Sequence, residues 1–185
     1  MTDFFTRKGD DGTTGRLGPG RLTKSDLQID ALGCLDEANS ALGFLRSVIG
    51  VEDIRAVLLK IQRELYQIMG EIAALPENAG RFRVINPDHV AWLENQVGEF
   101  GNKTNMPRDF IVPGDTIASA AADLARTAAR RAERRVVALD EKIHLENPAI
   151  LSYLNRLSSL CFVLEIYAIQ HTNSQQPTLA KDGTS

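Results

Sequence analysis

The sequence predicts an all-α fold, an up-and-down bundle of five helices behind a glycine-rich N-terminal loop. Three observations predict it. Of the 185 residues 43% are apolar but only 6% aromatic, and alanine and leucine supply much of the apolar share, a composition that favours helix. Apolar residues recur at three- and four-residue spacing over several long stretches. None of the seven prolines interrupts a strongly periodic stretch. No alternating run of useful length signals a strand, and no internal repeat is evident.

The chain reads as one domain over residues 1–185, in three parts. Residues 1–24 form a loop, because Gly9, Gly12, Gly15, Gly18 and Gly20 crowd it and allow turns of positive φ. Residues 25–171 form the bundle. Ser25 or Asp26 caps a first helix to about Val48, with Ala31, Leu35, Ala38, Leu42 and Leu45 on one side. A second helix runs from Glu52 to about Ala74, its stripe marked by Ile54, Leu58, Ile61, Leu65, Ile68 and Ile72. Asn86-Pro87-Asp88 is a cap followed by proline at the first helical position, and opens a shorter helix through Trp92, Leu93 and Val97. Phe110-Ile111-Val112-Pro113-Gly114 is an apolar connector. The next 33 residues, Asp115 to Asn147, hold no glycine or proline and are mostly good helix formers up to Asp140. Asn147-Pro148 opens the last helix, through Leu151, Leu154, Leu157, Cys161 and Leu164. Residues 172–185 form a polar tail, expected to fray.

A chain of this size buries roughly 70% of its unfolded surface and needs no staples. Cys34 and Cys161 lie 127 positions apart, match no metal or redox spacing, and read as small buried hydrophobes of a cytoplasmic protein. The N-terminus has no apolar signal core and no run of 18 apolar residues occurs, so no membrane is expected. With 21 basic against 24 acidic residues the net charge is −3, which points to no polyanionic partner.

Residues 124–139, LARTAARRAERRVVAL, carry the sharpest local signal. At 100° per residue Arg126, Arg130 and Arg134 form one stripe, with Glu133 at its edge. Ala125, Ala128, Ala129, Ala132, Val136 and Leu139 share another face and can pack. Guanidinium forks suit a triphosphate, since they stay charged and bind its oxygens bidentately. A solvated basic face with intrahelical pairs fits the same pattern. A nucleic-acid patch fits less well, given the net charge and the lack of interleaved aromatics. The loop TRKGDDGTTG, residues 6–15, can turn backbone N–H groups toward an anion, yet it is neither a P-loop nor a dinucleotide fingerprint. Asp36 and Asn39 in the first helix, and Asn155 and Arg156 in the last, are polar residues beside apolar stripes; a bridge from Asp36 to an arginine would suffice structurally. His89, His144 and His171 are scattered and make neither a triad nor a zinc site.

Taken together and in order, TRKGDDGTTG, LGCLDEANSALG, FIVPG, LARTAARRAERRVVAL and YLNRLSSLCFVL resemble the ATP:cob(I)alamin adenosyltransferases of the propanediol-utilisation type. The resemblance runs from about Thr6 to Gln170. It implies a ferritin-like five-helix bundle, assembled as a homotrimer with active sites between subunits. It also implies transfer of the 5′-deoxyadenosyl group of ATP to cob(I)alamin, giving adenosylcobalamin and triphosphate, with Mg2+ accompanying ATP. The ATP-binding residues it implies are Thr6, Arg7, Lys8, Gly9, Thr14, Gly15 and Lys24 of the loop, Arg126, Arg130, Arg131, Glu133 and Arg134 of the arginine helix, and Asn155 of the last helix. Catalytic roles fall to Arg130, to Asp36, which bridges to it, and to Phe110, whose ring helps displace the corrinoid's lower axial ligand. The resemblance does not say which residues hold the metal. A reductase and an adenosylcobalamin-dependent enzyme are the expected protein partners.

The reaction asks little acid–base chemistry of the protein, because reduced cobalt is itself the nucleophile. It asks for in-line positioning, an apolar site and positive charge on the leaving triphosphate. Three positions depart from the family pattern. Lys8 and Asp11 stand where its loops more often carry Thr and Lys, and Asp115 replaces a second glycine after Gly114. A cobalamin carrier or nucleotide-sensing bundle without catalysis is the alternative reading.

Overall fold

The computed structural model describes residues 5, 7–74, 76–173 and 176–181. Two short strands, β1 (Thr13–Gly15) and β2 (Arg21–Thr23), form an antiparallel hairpin with Thr13 opposite Thr23 and Gly15 opposite Arg21. The sequence pattern did not announce this hairpin, since strands of three residues cannot display a period. Side chains fasten it instead. Asp11 Oδ1 accepts from Thr13 N (2.9 Å) and Oγ1 (2.7 Å), and Arg21 Nε donates to Thr13 Oγ1 at 2.7 Å. The two bonds from Thr13 also hold the Asp11 carboxyl below its usual range. Gly18 and Gly20, at φ 126° and 96°, turn the chain between the strands.

The helices follow the predicted boundaries closely. Helix α1 (Leu27–Val48) starts at Asp26, whose Oδ1 accepts from Gln28 N at 2.8 Å. Helix α2 (Glu52–Ala73) and the single turn α3 (Pro76–Ala79) come next. Helix α4 (Pro87–Gly101) is capped by Asn86, which accepts from Asp88 N and His89 N. Helix α5 (Ile117–Ile143) opens with a reciprocal capping box between Thr116 and Ser119 and stops at His144, which is left-handed at φ 52°. Helix α6 (Ala149–Asn173) completes the bundle.

Helix α5 is the central element, packed between α1 and α6, with α2 outside α1 and α4 outside α6. Its fully buried Ala121, Ala122, Ala125, Ala129 and Ala132 let the flanking helices approach closely. Tyr153 of α6 donates its hydroxyl to Glu64 of α2 at 2.6 Å, closing the bundle, and Lys60 neutralises that carboxylate from 2.7 Å. Burial, with the Glu64 charge beside it, pushes the Tyr153 hydroxyl well above its usual range. Cys34 and Cys161 are buried free thiols, and burial pushes Cys161 up to about 12. Residues 149–171 are long and apolar enough to cross a membrane, but 67% of their most apolar 18-residue stretch lies inside the bundle, as in a core helix.

The described part of the tail does not simply fray, and residues 174, 175 and 182–185 lie outside the described residues. Residues 176–181 lie along the connector before α5, with Leu179 bridged antiparallel to Ile111. Val112 N donates to Thr178 O at 2.8 Å and Ala180 N to Phe110 O at 2.7 Å.

Candidate active site

The arginines of α5 divide among three surroundings, because successive residues advance 100° around the helix. Arg130 and Arg134 line an open cleft of about 490 Å³ with Glu133, Val137, Ala138, Glu141 and Asn155. Asn155 Nδ2 donates to Glu133 Oε1 at 2.9 Å, so α6 braces the cleft wall, and Arg134 Nη1 reaches the Arg130 carbonyl at 3.2 Å. The Arg130 guanidinium is exposed and has no hydrogen bond or ion pair among the described residues. Arg131 pairs with Glu37 and Arg135 with Asp30, both on α1, so these two fasten helices together. Arg126 lies one turn before Arg130 and is held by Asp123 through Nε (2.8 Å) and Nη2 (2.6 Å).

Arg126 belongs to a second cavity, of about 480 Å³, with Asp123, Phe110, Ile111, Pro113, Phe162 and Glu165. Its walls are largely apolar. Phe110 stands at the mouth, 88% exposed. Gly114, at φ 120°, turns the connector into α5, a conformation that side chains disfavour. Ala180 and Lys181 of the tail also line this cavity. Asp115 secures the tail: it accepts from Thr178 N at 2.9 Å and Thr178 Oγ1 at 2.6 Å. The residue standing where the family pattern has a glycine is thus a clasp, and no spacing or motif points to its partner 63 positions on.

The N-terminal loop stands apart from both cavities, for none of its described residues lines either one. Arg7 is left-handed at φ 57°, with its guanidinium 5.3 Å from the Phe5 ring. Thr14 and Gly15 lie in β1, and the Lys24 ammonium approaches Gly9 closely enough to touch a Cβ placed there. Lys8 accepts at its carbonyl from Arg21. Thr6 lies outside the described residues. Asp36 is exposed on α1 and meets no Arg130 within the chain, since Glu37, one residue on, takes the position facing α5. Among the residues named from sequence, Arg130, Glu133, Arg134 and Asn155 share one cleft, and Arg126 and Phe110 share the other. Glu165 was not foreseen. A glutamate on α6 reads as one more helical polar residue until the cavity beside it is known.

The profile of the cobalamin adenosyltransferase family matches residues 4–168. A cobalamin adenosyltransferase from Cupriavidus metallidurans is 41% identical over 166 residues, 89% of this chain and 86% of that protein. A corrinoid adenosyltransferase from Bacillus subtilis is 37% identical over 165 residues, 86% of this chain and 82% of that protein. Among solved structures, a variant of the PduO-type ATP:corrinoid adenosyltransferase from Lactobacillus reuteri, complexed with cobalamin and ATP, superposes with a TM-score of 0.89. It is 29% identical, with coverage of 97% of this chain and 100% of that one.

Proposed function

The chain belongs to the cobalamin adenosyltransferase family, and on that footing we propose how its residues carry the reaction. It is a corrinoid adenosyltransferase, which moves the 5′-deoxyadenosyl group of ATP to cob(I)alamin and releases triphosphate. The observation that carries the assignment of roles is the pairing of two unlike cavities one turn apart on α5. One is arginine-lined and the other aromatic and apolar.

The arginine cleft takes the triphosphate. Cobalt(I) supplies the electron pair that forms the new bond to C5′, and the C5′–O pair departs with triphosphate. Arg130 and Arg134 meet the charge that grows on that leaving group, in a site preorganised by the Asn155–Glu133 brace. Glu133 and Glu141 give the cleft carboxylate oxygens. A magnesium ion carried in on the triphosphate fits such a wall, because magnesium keeps several waters and needs only one or two carboxylates. It would supply further positive charge there. Phe110, at the mouth of the apolar cavity, is the ring positioned to displace the corrinoid's lower ligand, and Arg126 lines the same cavity, held by Asp123.

Two observations support a homotrimer with shared sites. The loop is to bind ATP through Thr6, Arg7, Lys8, Gly9, Thr14, Gly15 and Lys24, and none of its described residues lines either cavity of its own subunit. Asp36 has no partner among the described residues. Both are then completed by a neighbour, Asp36 reaching that neighbour's arginine helix. Arg131, committed to Glu37, acts on ATP only indirectly in this reading. Buried free thiols fit a cytoplasmic enzyme. Its chemistry asks for a reductase that delivers cobalt(I) and an enzyme that uses adenosylcobalamin. Nucleic acid and membrane play no part in this reading.

The test is anaerobic incubation of the protein with chemically reduced cobalamin, ATP and Mg2+. Adenosylcobalamin and triphosphate should appear in equal amounts. Tight cobalamin binding without consumption of ATP would favour a carrier, and release of pyrophosphate would place the broken bond elsewhere.

A further inference from the structure

The cavity under Phe110 contains a group that the transfer reaction does not call for. Glu165, on α6, lines it and is only 1% exposed, and its Oε1 has no hydrogen-bond partner among the described residues. Burying a polar atom without a partner is costly and uncommon. The residue also stands where Phe110, Ile111, Pro113 and Phe162 make the surroundings apolar, so a ligand is the natural source of the missing bond.

We propose that Glu165 is a specificity-determining residue of this cavity, pairing its carboxyl with a primary carboxamide on the rim of the corrinoid and selecting against a carboxylate there. The proposal rests on the adenosyltransferase reading above. Its chemistry is that of matched pairs. A neutral carboxyl has one O–H donor and one carbonyl acceptor side by side, and a primary amide offers the complement. Cobalamin carries such amides around its ring. A substrate carboxylate in the same place offers no donor for the Glu165 carbonyl oxygen and brings a charge that must shed its water beside a buried carboxyl.

The surroundings favour the neutral acid. Desolvation pushes Glu165 up to about 7, with Asp123 and Asp115 reinforcing the shift and Arg126 opposing it. The other charged groups lining the cavity are Arg108 and Asp109 from the connector and Lys181 from the tail. Arg126 is already engaged by two bonds to Asp123, which limits its hold on Glu165. A corrinoid seated over the carboxyl removes more water and favours the neutral form further.

The experiment measures KM for cob(I)alamin at saturating ATP in the whole protein, from about pH 6 to pH 8.5, for wild type, Glu165→Gln and Glu165→Leu. It repeats the measurement with corrinoids in which one side-chain amide is hydrolysed to the acid. Wild-type KM should rise several-fold as pH passes through 7. Glu165→Gln, which keeps a donor and an acceptor, should hold a low KM at every pH. Glu165→Leu should raise KM roughly tenfold, the factor expected for one lost pair of hydrogen bonds, with kcat and the KM for ATP little changed. Wild type should reject at least one mono-acid corrinoid by a similar factor, and Glu165→Leu should lose that preference. A Leu variant matching wild type in KM and in selectivity overturns the proposal, as does a Gln variant that keeps the wild-type pH dependence. Should the Leu variant fail to fold, the Gln variant and the wild-type profile decide. If wild type forms no adenosylcobalamin, the transferase reading fails instead, and the same comparison made on dissociation constants for cob(II)alamin still decides the role of Glu165.

Discussion

Asn155 of α6 donates its side-chain amide to Glu133 of α5 across 2.9 Å, joining the two helices at the wall of the arginine cleft. Arg156 Nη1 donates in turn to Asn155 Oδ1 at 2.7 Å, so both ends of the amide are committed. Replacing Asn155 by Asp sets a carboxylate against Glu133 and removes the donor. The expected outcome is a KM for ATP raised about tenfold while the KM for cobalamin stays near wild type. Steady-state kinetics with each substrate varied in turn measures this split.

The clasp between Asp115 and Thr178 holds the tail on the connector that carries Phe110. Asp115→Ala removes the acceptor of two hydrogen bonds, a local loss of about 1–3 kcal/mol. The amides of Val112 and Ala180, which bond across the two segments, should then exchange with solvent tens of times faster. Amides in the centre of α5 should keep their protection, and hydrogen exchange read by mass spectrometry distinguishes the two regions.

Tyr153 and Glu64 serve the fold and lie outside both cavities. Tyr153→Phe leaves a buried carboxylate short of one donor, and unfolding should become easier by about 1–2 kcal/mol. Adenosyl transfer at moderate temperature should be unchanged. Denaturant titration together with an activity assay checks both parts.

Glu165 also makes stability depend on pH. Its carboxyl ionises near 4.5 when exposed and at about 7 in the folded chain. The native state therefore binds the extra proton between those values, and folding loses stability as pH rises through that window. Glu165→Gln removes this loss. Its stability relative to wild type should improve by about 3 kcal/mol between pH 4.5 and pH 8, read from urea titrations at each pH.

The helices were legible because their signals are local. Asp26 and Asn86 accept the N-terminal amides that their positions before apolar stripes led one to expect, and Asn147 accepts from Ala149 N at the start of α6. The cleft was legible in part, since Arg130, Glu133 and Arg134 sit within five positions on one helix and Asn155 carried a recognisable motif. What stayed hidden depends on contacts between distant segments. The stripe of Arg126, Arg130 and Arg134 is real on the helix, yet Asp123 holds Arg126 in the wall of a different cavity. The β hairpin rests on Asp11, Thr13 and Arg21 rather than on a period. The tail's pairing with Phe110–Val112 and the orphaned oxygen of Glu165 have no signature in spacing at all.

Arg130 bears the heaviest burden in this mechanism, and the turnover of Arg130→Ala is its sharpest test. Under anaerobic conditions with saturating ATP, Mg2+ and cob(I)alamin, kcat should fall at least about a hundredfold, as loss of one preorganised charge at a leaving group does. Melting temperature should remain that of wild type, because the Arg130 side chain has no partner in its own chain among the described residues, and losing one exposed ion pair to a neighbour's Asp36 should leave the oligomeric mass unchanged. Near-normal adenosylcobalamin formation by that variant would contradict the assignment of the arginine cleft to the departing triphosphate.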